Sequence, residues 1–292
     1  SWSGSDDGSG IAEYEYALGT TSGGTDVVDW TSSGTDAGDM VTGINLIDGQ
    51  MYFLSVRITD VAGNVSDVVS GDGILIDLTP PFTGLVYDGL GLQQLYDEPF
   101  TGSDTALFGT WESFGDDASG ISGYEVSVNN GDVYPWTSVG NVETKKVDGL
   151  ILTHGLTYSF DVRAIDLAGN TSEMVSSNGI KVDTQAPNSD VVIANEYYNQ
   201  VYWDQAIHIQ GSAMDGTDES GLLSAEITIL NATNGNYYNG DGWRSDITWL
   251  SPQGRDNWSF SLPSGVLIDG NTYQVSSRAT DAVGNIQTEF GQ

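Results

Sequence analysis

The sequence predicts an all-β chain built as three tandem antiparallel Greek-key β-sandwiches. Three observations carry this. Leu46-Ile47-Asp48-Gly49-Gln50-Met51-Tyr52 recurs as Leu152-Thr153-His154-Gly155-Leu156-Thr157-Tyr158 and as Leu267-Ile268-Asp269-Gly270-Asn271-Thr272-Tyr273, at intervals of 106 and 115 residues, the length of one sandwich domain. After each Tyr the apolar residues alternate with polar ones, the period of a strand with one buried face. The composition favours turns: 38 Gly, and 30 Asp against 11 Glu. Asp bonds nearby backbone amides in turns, whereas Glu prefers helices. No window sustains a 3.6-residue period, so no helix longer than about two turns is expected.

In each unit an acidic turn precedes the Leu-Gly-Tyr element. Asp6-Asp7-Gly8-Ser9-Gly10-Ile11 matches Asp116-Asp117-Ala118-Ser119-Gly120-Ile121, and Asp218-Glu219-Ser220-Gly221-Leu222 is a looser copy. The first two lead into strands beginning with Tyr14 and Tyr124, and Trp2 and Trp111 stand just before them. The strand after the Leu-Gly-Tyr element runs Tyr52, Leu54, Val56, Ile58; then Tyr158, Phe160, Val162, Ala164; then Tyr273, Val275, Ser277, Ala279. Ser55, Asp161, Arg57, Arg163 and Arg278 fall on the opposite face, expected to be the wetter one. Next come Asp60, Asp166 and Asp281, each four residues before an Asn that follows Gly (Asn64, Asn170, Asn285). Gly and Asn tolerate positive φ, so this is a hairpin turn, and the Asp reads as its Asx-type cap.

A Trp, a polar turn, a Tyr-starting strand and then L-x-x-G-x-x-Y with alternating apolars resembles the fibronectin type III domain, and the Leu-Gly-Tyr element resembles its tyrosine corner. That resemblance implies a Tyr hydroxyl bonded back to the preceding loop, with Tyr52, Tyr158 and Tyr273 buried. The third unit has Ser212 and Ala225 where the Trp and Tyr are expected, and resembles a more generic bacterial immunoglobulin-like domain. The ending Arg-x-x-Asp-x-x-Gly-Asn resembles repeats of very long surface and secreted bacterial proteins. The implied function is a spacer.

Asp77-Leu78-Thr79-Pro80-Pro81 and Asp183-Thr184-Gln185-Ala186-Pro187 mark boundaries, because Pro ends strand pairing and stiffens a short linker. The expected domains are residues 1–81, lacking a first strand; 82–186; and 187–292, lacking a last strand. Both ends are expected to lie inside a longer repeating array.

The chain carries 41 acidic and 8 basic residues, a net charge of −33. That field repels nucleic-acid phosphates and anionic membranes. No apolar run approaches the roughly 18 residues of a membrane span. With no Cys, disulfides and thiolate–zinc sites are excluded.

Little in the sequence points to catalysis. His154 occupies the corner-loop place of Asp48 and Asp269, and His208 lies between Ile207 and Ile209 on the polar side of a strand. No G-x-S-x-G or phosphate-binding Gly pattern appears. Paired carboxylates such as Asp116 and Asp117 recur as turns, whereas an active site is usually single. Ca²⁺ is the expected cofactor, held by Asp6, Asp7, Asp116, Asp117, Asp218 and Glu219, because hard carboxylate oxygens in Gly-containing turns suit it. Solvated acidic surface is the competing explanation. Tyr237, Tyr238 and Trp243 are candidate carbohydrate contacts, against the alternative that alternating aromatics fill the sandwich. Sequons occur at Asn64, Asn170, Asn231 and Asn257.

The expectation is therefore a non-catalytic extracellular or cell-surface spacer or stalk of a large adhesin or exoprotein. Its partners are neighbouring domains of the same chain, with surface glycans or other copies of itself as further candidates. The alternatives are a carbohydrate-binding accessory region of a secreted polysaccharide-degrading enzyme, and part of an extracellular filament or surface layer.

Overall fold

The structure, a computed structural model, describes residues 1–89, 97–192 and 207–291. It is all-β; a three-residue helical turn at Asn129–Gly131 is the one helix among the described residues. Unit one holds β1 (Ile11–Gly19), β2 (Val28–Gly34), β3 (Met51–Asp60), β4 (Val69–Ser70) and β5 (Ile74–Leu75). Unit two holds β6 (Leu85–Asp88), β7 (Phe100–Thr101), β8 (Ala106–Glu112), β9 (Ile121–Val128), β10 (Tyr134–Gly140), β11 (Thr144–Asp148), β12 (Thr157–Tyr158), β13 (Phe160–Asp166), β14 (Val175–Ser176) and β15 (Ile180–Val182). Unit three holds β16 (Asn188–Val192), β17 (Ile207–Met214), β18 (Leu222–Asn231), β19 (Asn236–Tyr238), β20 (Trp243–Arg244), β21 (Asn257–Leu262) and β22 (Tyr273–Asp281).

Unit two shows the plan in full. The sheet β11-β8-β6 faces the sheet β10-β9-β13-β14, and their inward residues form one core around Trp111, Val126, Val128, Phe160 and Val162. Trp111, 1% exposed, stacks on Phe160 at 6.2 Å and meets Tyr124 edge-on at 5.5 Å. Burying side chains of this size stabilises by roughly 1.5–3 kcal/mol each. Gly109 leaves room for the Phe160 ring, which a Cβ there would approach to 2.2 Å. One pair departs from the antiparallel expectation: β15 runs parallel to β7, because the chain passes alongside the closing strand before turning into β8.

Unit three repeats the plan with β16-β17-β21 against β20-β19-β18-β22. Its core Trp comes from a different strand. Trp258 of β21 is buried and its ring fills the space over Gly211, next to Ser212 on β17. Residues 286 and 291 bridge back to β22 through Thr280 and Ser277. Unit one presents a single sheet, β2-β1-β3-β4, with β5 on β3. There the Trp2 N–H donates to Ala37 O at 2.9 Å, as Trp111 N–H donates to Glu143 O at 2.9 Å, and Trp2 packs on Tyr16 at 5.6 Å.

The corners form as the pattern implies. The hydroxyls of Tyr52, Tyr158 and Tyr273 accept the N–H of Ile47, Thr153 and Ile268 at 3.0, 3.0 and 2.7 Å. Tyr52 and Tyr158 are buried, whereas Tyr273 is half-buried. The face expected to be wet is covered at two of its positions. Ser55 bonds Ser70 Oγ at 2.7 Å, and Asp161 is roofed by the 129–131 turn, whose Asn130 N–H donates to it at 2.6 Å. Both are fully buried; local loops, rather than a second sheet, exclude the water.

Candidate metal centres at the junctions between units

Each linker Asp is tied into the unit that follows it. Asp77 Oδ2 accepts the N–H of Ser119 at 3.1 Å, and its backbone carbonyl accepts Asn170 Nδ2 at 3.1 Å. Asp183 repeats both contacts, with Ser220 N–H at 2.8 Å and Asn285 Nδ2 at 3.0 Å. In each linker the Asp also caps the N–H two residues on, Thr79 or Gln185, which holds the chain bent next to its Pro.

This fastening gathers carboxylates. One oxygen from each of Asp77, Asp116 and Asp166 lies within 4.8 Å of the others, and Asp183, Asp215 and Asp281 form the same grouping at the second junction. The linker supplies one carboxylate of each set, the acidic turn of the next unit another, and its Gly-Asn corner the third. The turn Asp is held by backbone N–H groups: Asp116 Oδ1 accepts Ser119 and Gly120 at 2.8 and 2.7 Å, and Asp215 Oδ2 accepts Gly221 at 2.7 Å. The corner Asp is held by its Asn: Asp166 accepts Asn170 N–H and Nδ2 at 2.8 Å each, and Asp281 accepts Asn285 at 2.8 and 2.7 Å.

The electrostatics favour a cation. Asp77, Asp166, Asp183 and Asp281 are buried, and among the described residues none of the six Asp is paired with Lys or Arg. Two carboxylates at this separation repel by on the order of 3 kcal/mol at an effective dielectric of 20. Burial raises the Asp215 carboxyl above its ordinary range, and Glu219 and Asp183 add to the rise against the opposing Gly221 N–H. Burial works against Asp166 as well, but the Asn170 donors outweigh it and hold the group below the usual range. Asp215 Oδ1 and the hydroxyls of Ser119 and Ser220 are buried without a hydrogen-bond partner. An all-oxygen set without Cys is the chemistry of Ca²⁺ rather than of Zn²⁺.

The expected ligands are placed unevenly. Asp116 joins the first grouping; Asp117 is exposed outside it. At the second junction Asp215 stands where Asp218 and Glu219 were expected. The turn there spans six residues from Asp215 to its bonded Gly221, against four from Asp116 to Gly120 and from Asp6 to Gly10. The two extra residues push Asp218 outward, whereas Glu219 stays largely buried beside Asp215, its side chain 14% exposed and its Oε1 3.5 Å from His154 Nε2. Asp218 is exposed and receives Lys181 Nζ on its backbone O at 2.8 Å, while Glu219 accepts Gly216 N–H at 2.7 Å. Asp6 binds the Gly8 and Gly10 N–H groups and Asp7 is exposed; neither is in a three-carboxylate grouping among the described residues. Sequence reasoning missed Asp77 and Asp183, treated as boundary markers, and Asp166 and Asp281, treated as turn caps alone. Their signal was the shared 106-residue spacing of Asp77 with Asp183 and of Asp60 with Asp166.

The proposed sugar contacts change character. Tyr238 is buried, with its hydroxyl donating to Gly240 O at 2.9 Å. Trp243 is half-buried between Tyr238 and Tyr273, its Nε1 donating to Val266 O. These two rings fill the sandwich, which leaves Tyr237 half-exposed beside them. His154 acts in the linker: its Nδ1 accepts Thr184 N–H at 3.1 Å, the place where Asp48 accepts Leu78 N–H at 2.7 Å. His208 lies at the surface against Ser261.

A three-stranded sheet facing a four-stranded one, with the tyrosine corner at the turn into β13 and β22, is the decisive arrangement. Units two and three are fibronectin type III/immunoglobulin-like sandwiches, and unit one carries the corner-bearing sheet of the same plan. No family model matches the chain. It is similar to Exoglucanase B of Cellulomonas fimi, 32% identical over 194 residues, which cover 64% of this chain and 15% of that protein. The chain thus spans a small part of that relative's length. Among solved structures it is similar to a 1.5-MDa bacterial ice-binding adhesin (17% identical, TM-score 0.41, covering 96% of this chain and 85% of that one). It is also similar to fibronectin(III)-like modules of Clostridium thermocellum CbhA (11% identical, TM-score 0.35, 70% and 90% covered). Among the described residues no helix is long and apolar enough to cross a membrane.

Proposed function

We propose that this chain is a non-catalytic extracellular spacer, a run of sandwich units whose junctions are fixed by bound Ca²⁺. The observation that carries this reading is the convergence of three Asp from two successive units, repeated at both junctions. An ion between them removes the carboxylate repulsion and joins the linker of one unit to the turn and corner of the next. Because it binds only the docked arrangement, it stabilises that arrangement by mass action.

The test is thermal melting in chelator, in millimolar Ca²⁺ and in NaCl of matched ionic strength, the last because salt alone screens a charge of −33. Ca²⁺ is expected to raise the midpoint beyond the matched NaCl, and calorimetric titration to count two ions. Asp166→Asn should remove the ion of the first junction and Asp281→Asn that of the second. Equal midpoints in Ca²⁺ and NaCl sink the reading.

The identity with Exoglucanase B favours a second reading, an accessory non-catalytic region of a secreted polysaccharide-degrading enzyme. Retention of the chain on insoluble glucan, lost in Tyr237→Ala, would favour it over the spacer.

A further inference from the structure

Every unit carries the same three side chains on the outer face of its corner-bearing sheet. In unit one Glu15 pairs across the sheet with Arg57. Arg57 donates from Nε to Glu15 Oε2 at 2.7 Å and from Nη2 to Oε1 at 3.0 Å, and its guanidinium lies 4.4 Å from the Trp30 ring centre. In unit two Glu125 pairs with Arg163, Nε to Oε2 is 2.7 Å, and Trp136 is 4.5 Å away. In unit three Glu226 pairs with Arg278, Nε to Oε2 is 2.8 Å, and Trp249 is 4.1 Å away.

The register is identical in all three. Glu15 faces Ser32 and Glu125 faces Ser138, and the ring in each case comes from two residues earlier, Trp30 or Trp136. In unit three the bridge from Ile227 to Leu250 puts residue 251 beside Glu226, again two after Trp249. Three of the five Arg in a chain with only eight basic residues stand at this one position.

The strand carrying the Trp has weak attachment of its own. β2 and β10 are edge strands, and both pair with their inner neighbour through a register broken twice. An irregular edge ladder is the part of a sheet that opens most readily. The Arg starts on the third strand, is oriented by the Glu of the second, and lies over the ring of the first. A planar guanidinium can make the fork and the stack together.

We propose that this Trp–Arg–Glu triad is a strap that holds the irregular edge strand on the sheet, so that the motion it suppresses is local peeling of that edge rather than unfolding of the unit. The inference stands apart from the Ca²⁺ reading, since no member of the triad lies in a junction.

Hydrogen exchange on the full chain, followed by mass spectrometry, tests it in unit two. Trp136→Leu keeps apolar bulk and removes the stack; Arg163→Lys keeps the charge and removes the fork. Exchange in Tyr134–Gly140 is expected to accelerate about tenfold in Trp136→Leu, equivalent to ~1.4 kcal/mol, and by a smaller factor in Arg163→Lys. Ala106–Glu112 and Thr144–Asp148 on the opposite sheet should keep their parent rates. Unchanged exchange in Tyr134–Gly140 in both variants overturns the proposal. So does equal acceleration of all three segments in Arg163→Lys, which makes the triad part of the unit's global stability. If Trp136→Leu unfolds the unit, the milder Arg163→Lys decides alone.

Discussion

Asp88 ends β6 in the interior of unit two, 3% exposed, where it accepts Ser177 Oγ at 2.8 Å and Gly179 N–H at 2.9 Å. Burial pushes its pKa up to about 6, against those two donors and with the help of the Asp97 and Asp161 charges. A carboxyl that binds its proton more tightly folded than unfolded stabilises the fold most below the unfolded pKa, near 3.8. That stability is lost as pH rises through about 6. A shift of about two units at 1.36 kcal/mol each makes the loss about 3 kcal/mol. Asp88→Asn cannot ionise, so the pH-dependent part vanishes. Its carboxamide can accept only one of the two donors, a pH-independent penalty of about 1–3 kcal/mol. The stability of the variant relative to the parent should therefore improve by about 2 kcal/mol between pH 4 and pH 7, the rest of the loss falling below pH 4. Hydrogen exchange of the slowest amides in β8 and β13, corrected for intrinsic rates, reads the opening free energy of this unit alone. A relative stability that is flat with pH, or that worsens as pH rises, refutes the reasoning.

Tyr158→Phe strands the Thr153 N–H and should destabilise unit two by about 1–2 kcal/mol in denaturant titration, with Tyr273→Phe smaller in unit three because that ring is half-buried. Gly109→Ala drives a methyl into the Phe160 ring and should lower stability by about 1–3 kcal/mol, read by the same titration. His154→Ala removes the acceptor for Thr184 N–H; faster protease cutting at residues 184–187 is expected, while His154→Asp, which restores the arrangement of Asp48, should cut at the parent rate.

Much of the fold was legible because the repeats are local patterns. The L-x-x-G-x-x-Y element encodes a loop N–H, a Tyr acceptor and the alternation of the strand that follows within about a dozen residues. The replaced Trp of unit three was harder, since Trp258 reaches the space over Gly211 from a strand distant in sequence. The candidate site was legible only in part for the same reason. Asp116 announces itself in a turn, but its companions Asp77 and Asp166 lie 39 and 50 residues away along the chain, and only the docking of the linker brings them together. Asp215 was hidden by a two-residue expansion of its turn, which put Asp218 in the aligned column and out of reach. The strap was half visible: the Arg repeats at a fixed offset from Tyr, whereas its Glu and Trp belong to strands joined by loops of unequal length.

The two linkers share more than a composition. Asp77 and Asp183 meet the next unit through the same Ser N–H and the same Asn carboxamide. Fastenings of equal geometry in series would apply one rotation and one translation repeatedly, and a repeated rigid motion generates a screw. Adding units on such joints would lengthen the molecule by a fixed increment while turning its far end by a fixed angle. The number of units, rather than the softness of the joints, would then decide which way the tip faces.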